Sequence, residues 1–183
     1  MLSTRSPTFK HGTVKSTETA LIGDITLLSI QGPDAEAFAQ SQLMNDVLAL
    51  PVGHWHWNGW LNAKGRVLAL FALARLAPGD LLLAVLDEPA HALRDGLQRF
   101  VFRSKVRLVV RDDLGAFAED GADAPDGADR WDLRTNGVWL DVRSPGVRRG
   151  LRLGPRGTEP VDPTATDRWR ETDLRHGLPR WSA

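Results

Sequence analysis

His54 and His56 stand two residues apart in the run His54-Trp55-His56-Trp57-Asn58-Gly59-Trp60. On a strand, that spacing puts both imidazoles on one face, where they could serve one metal ion. No third ligand lies nearby in sequence, and Asn58 and Trp60 share that face, so the pair reads as surface or groove lining. Seven tryptophans stand against no tyrosine, which marks most of them as core or interface residues. Trp55, Trp57 and Trp60, close to Asn62 and Lys64, could instead wall a planar heteroaromatic ligand. The chain has no cysteine, so disulfides, thiolate metal sites and cysteine nucleophiles are excluded. No Gly-x-Ser-x-Gly elbow positions a serine nucleophile, and neither Gly-x-Gly-x-x-Gly nor a Walker-type phosphate loop is present.

Two short cationic segments complete the inventory. Asn62-Ala63-Lys64-Gly65-Arg66 reads as a tight turn with two cations between apolar strands, by itself an ordinary hairpin tip. Arg103-Ser104-Lys105 sits where a helix gives way to a strand, where cations suit the helix dipole.

These residues need a scaffold, and 183 residues suffice for one domain or one and part of a second. Apolar residues make up 42% and charged ones 25%, the balance of a folded rather than a disordered chain. Lys+Arg and Asp+Glu are both 23, so bulk charge gives no support for binding nucleic acid or an anionic membrane. The basic excess from Arg143 to Arg156 reads as a solvated loop. No apolar run approaches a membrane span, and Met1 to Lys10 lacks a signal-peptide apolar region, which predicts a soluble cytoplasmic protein.

Residues 1–19 are rich in Ser, Thr and Lys without periodicity and read as a mobile lead-in. Ile25 to Gln31 reads as a strand stopped by Gly32-Pro33-Asp34, followed by a helix with Ala35, Phe38, Ala39 and Leu43 on one face, ending near Asn45-Asp46. The alternating stretch from His54 to Leu61, then Val67 to Leu76 and Leu81 to Leu86, read as three strands joined by short turns. Glu88 to Phe102 reads as a helix burying Leu93, Leu97, Phe100 and Val101, and Lys105 to Val110 as a strand. The order β-α-β-β-β-α-β over 20–111 predicts an α+β domain, an antiparallel or mixed sheet with helices on one face. Residues 112–130, rich in Asp, Ala, Gly and Pro, read as a linker or surface loop. The remainder, 131–183, reads as a partial second subdomain: a strand over Val138–Val142, little core-forming capacity over 144–163, and a helix from Asp167 to His176 ended by Gly177.

Taken together, the segments say more than each alone. Gly32-Pro33-Asp34-Ala35 with Phe38, Gln42-Leu43-Met44-Asn45-Asp46-Val47, Leu61-Asn62-Ala63-Lys64-Gly65-Arg66-Val67 and Phe102-Arg103-Ser104-Lys105-Val106 stand in order and spacing. This pattern resembles the YgfZ-type folate-binding proteins, relatives of the glycine-cleavage T-protein, an aminomethyltransferase. Trp169-Arg170 and Asp173-Leu174-Arg175-His176-Gly177-Leu178-Pro179 resemble the segment that the family places before its signature loop. The resemblance is dense over 20–111, thin over 112–160 and returns at 167–179.

The resemblance implies a T-protein-like fold, tetrahydrofolate as ligand, and support of iron–sulfur cluster assembly or repair, with effects on tRNA modification through cluster-dependent enzymes. Iron–sulfur proteins are then the implied partners, with no direct nucleic-acid contact and no membrane. A pterin needs a mostly apolar slot with a few aimed polar groups, which Asn45, Asp46, Asn62 and Trp57 or Trp60 could supply. Its glutamate tail needs cations, which Lys64, Arg66, Arg103 and Lys105 could supply. Two departures bear on activity. The family's Lys-Gly-Cys-Tyr-x-Gly-Gln-Glu motif has no counterpart before the chain ends at Ala183, so the sequence looks like an N-terminal portion only. The T-protein's paired aspartates fall on Ala69 and Leu70, which removes the carboxylate that would handle charge and protons in aminomethyl transfer. A non-catalytic folate-binding module is therefore expected, with an aminomethyltransferase and a structural module that has lost its ligand as the alternatives. Trp169, Leu174, Leu178 and Trp181 are expected to form an exposed apolar end, driving homodimer formation through 165–183.

Overall fold

The computed structural model describes residues 19–120, 137–143, 147–178 and 180. Its first sheet has the order β3-β4-β5-β2-β6, built from β2 (Ile25–Gln31), β3 (His54–Leu61), β4 (Val67–Ala77), β5 (Asp80–Leu86) and β6 (Arg107–Val110). α1 (Ala35–Gln42) and α2 (Ala90–Gln98) interrupt these strands in the expected order. A second sheet, β1-β7-β9-β8, joins β1 (Thr19–Ile22) to β7 (Leu114–Asp120), β8 (Val138–Asp141) and β9 (Arg149–Pro155); α3 spans Pro163–Arg175. Every pairing in both sheets is antiparallel, so the fold is α+β with no mixed sheet among the described strands.

Period-two burial explains the layering. Leu28 and Ile30 of β2, Phe71 and Leu73 of β4 and Leu81, Leu83 and Val85 of β5 face α1 and α2, meeting Phe38, Leu93 and Leu97. The alternate residues Leu27, Ala72, Ala74, Leu82, Ala84 and Leu86 face the second sheet through Ala116, Leu140, Leu151 and Leu153. Helices on one face is therefore half of the arrangement: the other face is covered by a sheet. Strands apolar on both sides, such as β4 and β5, need two such covers.

Several expectations shift once tertiary pairing is visible. Helix α1 stops at Gln42 rather than near Asn45-Asp46, because Leu43 is extended and bridges Trp60 of β3. Helix α2 ends at Gln98, so Phe100 lies beyond it, 52% exposed, and Val101 is half-buried rather than part of a buried stripe. The stretch expected as a linker over 112–130 opens with β7, whose Ala116 and Ala118 join the inter-sheet core; residues 121–130 lie outside the described residues. The segment 144–163, expected to have little core capacity, contains β9, which buries Leu151 and Leu153. Gly and Arg positions on β9 mask this apolar alternation in the sequence. Helix α3 begins four residues earlier than expected, since Asp162 caps it by accepting the Ala165 N–H at 3.0 Å, with Pro163 in its first turn. The lead-in over 1–19 lies outside the described residues apart from Thr19, which opens β1.

The basic stretch 143–156 is no solvated loop throughout. Arg149 is 1% exposed, lies 3.6 Å over the Trp169 ring and pairs with Asp173 at 2.6 Å. Arg152 stacks on Phe117 at 4.2 Å and pairs with Glu119 at 2.8 Å. Trp169 is consequently buried in the inter-sheet core rather than part of an exposed apolar end; Leu174 is exposed, Leu178 is half-buried, and Trp181 lies outside the described residues.

Glu36 ties α1 to the β4–β5 turn. Its Oε1 accepts the Gly79 N–H at 2.8 Å and an Arg75 Nη2 hydrogen at 3.0 Å. Burial alone would raise its pKa, but these N–H groups and the Arg75 charge outweigh it and hold the carboxyl below its ordinary value. Stability from ionised Glu36 is therefore present above the unfolded value and lost as pH falls through the lower folded one. We expect Glu36→Gln to cost about 1 kcal/mol at neutral pH. In urea unfolding that cost should shrink in acid; a pH-independent difference would refute the charge assignment. Asp24 works in the opposite sense, its carboxyl raised by burial against the pull of Arg180, so the comparison must be variant against wild type rather than one curve.

Candidate functional site

β3 is an edge strand, and the chain leaving α1 docks on its outer side. Leu43 bridges Trp60, the Met44 N–H donates to the Gly59 carbonyl at 3.1 Å, and Asn45 Nδ2 donates to the Trp57 carbonyl at 3.1 Å. Asn58 locks this contact from the strand side. It is 1% exposed, and its Oδ1 accepts both the Asn45 N–H at 3.1 Å and the Gly59 N–H at 2.8 Å. Its Nδ2 lies 3.1 Å from Nε2 of His56, two residues earlier on the same face. A buried asparagine inside a strand is poorly suited to the ladder, and here it finds backbone partners instead. Asp46 continues the loop, its N–H held by Asn45 Oδ1 at 2.9 Å and its own Oδ1 accepting the Ala49 N–H at 3.1 Å. Burial lowers the pKa of His56, and the Asp46 carboxylate facing it pulls the other way.

The tryptophans divide between the two faces of β3. Trp60 lies on the helix side, its ring so close to α2 that a Cβ on Gly96 would come within 2.3 Å of it. Trp55 and Trp57 point toward the inter-sheet core and meet each other edge to face, centroids 5.4 Å apart. Trp57 and Trp60 therefore cannot wall one slot together, and only the Trp57 carbonyl reaches the Asn45 loop.

Asn62 spends its side-chain oxygen on its own turn, accepting the Lys64 N–H at 2.9 Å and the Arg66 N–H at 3.0 Å. This leaves Lys64 and Arg66 exposed at the β3–β4 tip, just past Trp60. Lys105 sits elsewhere. Its N–H donates to Asp34 Oδ2 at 2.7 Å, and its carbonyl lies so close to Gly32 (φ +133°) that a Cβ there would come within 2.1 Å. Gly32 in turn donates to the Gly79 carbonyl at 2.9 Å, at the β4–β5 turn. The two ends of β4, roughly 33 Å apart at the usual rise, thus separate Lys64 and Arg66 from Lys105. Arg103 is exposed over the Phe102 ring at 5.4 Å. The structure brings together Asn45, Asp46, Trp60, Asn62, Lys64 and Arg66 on one half of β3; it does not add Lys105 to them. The sequence reading missed Asn58, whose signal was its polarity between Trp57 and Gly59.

No family model matches the sequence. Over 86 residues the chain is 30% identical to an uncharacterized protein of Haemophilus influenzae, a match covering 47% of this chain and 31% of that protein. Over 93 residues it is 28% identical to the tRNA-modifying protein YgfZ of Vibrio vulnificus, covering 51% and 28%. The glycine cleavage system aminomethyltransferase T of Bartonella henselae superposes with a TM-score of 0.59 over 75% of this chain and 41% of that structure, at 18% identity. Over about half its length the chain is thus similar to YgfZ, and its fold is that of aminomethyltransferase T. It spans less than a third of the curated relatives it matches. Ala69 of β4 is buried opposite Trp60, and Leu70 pairs with Gly59 and Leu86. Among the described residues no helix is long and apolar enough to cross a membrane.

Proposed function

We propose that this chain is a non-catalytic, tetrahydrofolate-binding portion of a YgfZ-type protein, with the ligand held along the outer half of β3. The carrying observation is the Asn45–Asn58 clasp, which gathers Asp46, His56 and Trp60 beside a hairpin tip bearing Lys64 and Arg66. The ring end of the ligand takes its polar contacts from the Asn45–Asp46 loop and its apolar contact from Trp60. The glutamate tail takes Lys64 and Arg66. Arg103 and Lys105 are left outside this arrangement. Ala69 and Leu70 offer no carboxylate to the one-carbon chemistry, which disfavours the aminomethyltransferase reading. In the whole protein the role would be support of iron–sulfur cluster assembly or repair in the cytoplasm, reaching tRNA modification through cluster-dependent enzymes, with iron–sulfur proteins as partners.

Titration with tetrahydrofolate, followed by tryptophan emission and calorimetry, tests the reading: saturable quenching with heat is expected, and neither signal at millimolar ligand would overturn it. The tail contact has its own test. Lys64→Ala should weaken a polyglutamylated folate about three- to tenfold more than the monoglutamate at low ionic strength, the difference shrinking with salt. Equal losses for both ligands at every ionic strength would return Lys64 to the role of a hairpin-tip charge.

A further inference from the structure

His56 is presented by its neighbours in one protonation form. The Asn58 side-chain amide cannot turn over, because its Oδ1 is committed to two backbone donors, the N–H groups of Asn45 and Gly59. The atom facing His56 Nε2 at 3.1 Å is therefore the Asn58 NH2, which only donates. A ring nitrogen opposite a fixed donor must accept, so the proton of the imidazole resides on Nδ1. That nitrogen has no hydrogen-bond partner among the described residues. The charged groups around the ring do not reverse this. Asp46, from the α1–β3 loop, pulls toward the charged form, while burial pushes more strongly toward the neutral one. From β4, Leu73 lies opposite, and the nearby Arg75 spends its charge on Glu36 and the Leu50 carbonyl.

We propose that Asn58 fixes His56 as the neutral Nδ1–H tautomer, and that this N–H is the hydrogen-bond donor that selects ligands presenting an acceptor, such as the ring carbonyl of a reduced pterin, at the edge of β3. The ligand part rests on the folate reading above; the tautomer part does not. A fixed neutral donor recognises a carbonyl without taking up a proton, and it rejects a ring presenting an N–H at the same place, since two donors would then oppose each other.

Long-range proton–nitrogen correlation of the imidazole side chains in nitrogen-15-labelled protein reads the tautomer directly, without ligand. A neutral ring at neutral pH with an unprotonated Nε2 and a protonated Nδ1 is expected; an Nε2–H tautomer or a charged ring would overturn the proposal. Titration with 5-formyltetrahydrofolate, chosen as a stable reduced folate, then reads the contact. The Nδ1 resonance should move on binding. His56→Ala should lose at least tenfold in affinity, and His56→Gln, which keeps an N–H donor, should recover most of that loss. Wild-type affinity in His56→Ala, or an unmoved Nδ1 resonance at saturation, would overturn the donor role. Failure of the wild-type protein to bind would overturn the folate reading and the donor role with it, while the ligand-free spectrum still decides the tautomer.

Discussion

Replacing Arg149 by alanine should lower the unfolding free energy by about 3–5 kcal/mol, the cost of breaking a buried ion pair from one side. Its guanidinium lies flat on Trp169 at 3.6 Å and reaches Asp173 Oδ1 at 2.6 Å. Asp173 is the centre of a wider network. Its other oxygen accepts from Arg180 Nε at 2.7 Å, and Arg180 continues to Asp24 at 2.7 Å and Asp87 at 3.2 Å. Arg170 joins from the surface, 2.9 Å from Asp87. Loss of Arg149 leaves an Asp173 carboxylate short of positive charge and a void beside an indole ring, and both effects destabilise. Arg149→Lys should recover little, since an ammonium keeps the charge but neither the planar stack nor the reach of the guanidinium. Urea unfolding followed by tryptophan fluorescence measures both variants. A loss below about 1 kcal/mol for Arg149→Ala would mean that the pair contributes no more than a solvated surface bridge.

Asn58→Ala is expected to cost about 2–6 kcal/mol, because it leaves the N–H groups of Asn45 and Gly59 without their acceptor, at about 1–3 kcal/mol each. The damage should concentrate at the α1–β3 loop, so amide exchange at Asn45 should accelerate far more than exchange on β5. Asn58→Asp keeps the acceptor and discards the amide donor to His56, and so separates the two functions of this side chain. It should retain most of the stability while allowing His56 to take a proton. If both variants lose the same stability, the clasp is not what holds the loop to the strand. Folate affinity should fall with the clasp, since Asn45 and Asp46 lose their anchor to β3.

The consequences for the proposed site follow from the way one edge strand is used. β3 presents Trp55 and Trp57 inward to the inter-sheet core, Trp60 outward under α2, and its backbone edge to the Asn45 loop. A ligand-binding loop placed on a strand in this manner inherits the rigidity of the sheet, which favours precise polar contacts over induced closure.

The sequence by itself determined the local elements whose signals are local. Alternation from His54 to Leu61, the tight turn over Asn62-Ala63-Lys64-Gly65, the Gly32-Pro33 stop and the run of antiparallel strands joined by short turns all follow from period, turn chemistry and chain length, and each appears where that chemistry puts it. The resemblance to a folate-binding family likewise rests on short segments in register, and similarity over half the chain agrees with it. What only the tertiary structure decided is what lies opposite each element. β7 and β9 are strands because they pair with partners distant in sequence, β7 with Thr19 to Ile22 and β9 with Leu114 to Asp120, and no local propensity encodes such a pairing. Arg149 is buried because Trp169 and Asp173, some twenty residues later, meet it across the core; in the sequence it is one more arginine in a basic stretch. Spacing along the chain could place Lys64 and Lys105 each at the end of an element, but only the sheet order and the direction of β4 show that these are different ends. The proton on His56 is the finest such decision: it is set by Asn58, whose own orientation is set by two backbone N–H groups that the fold brings to it.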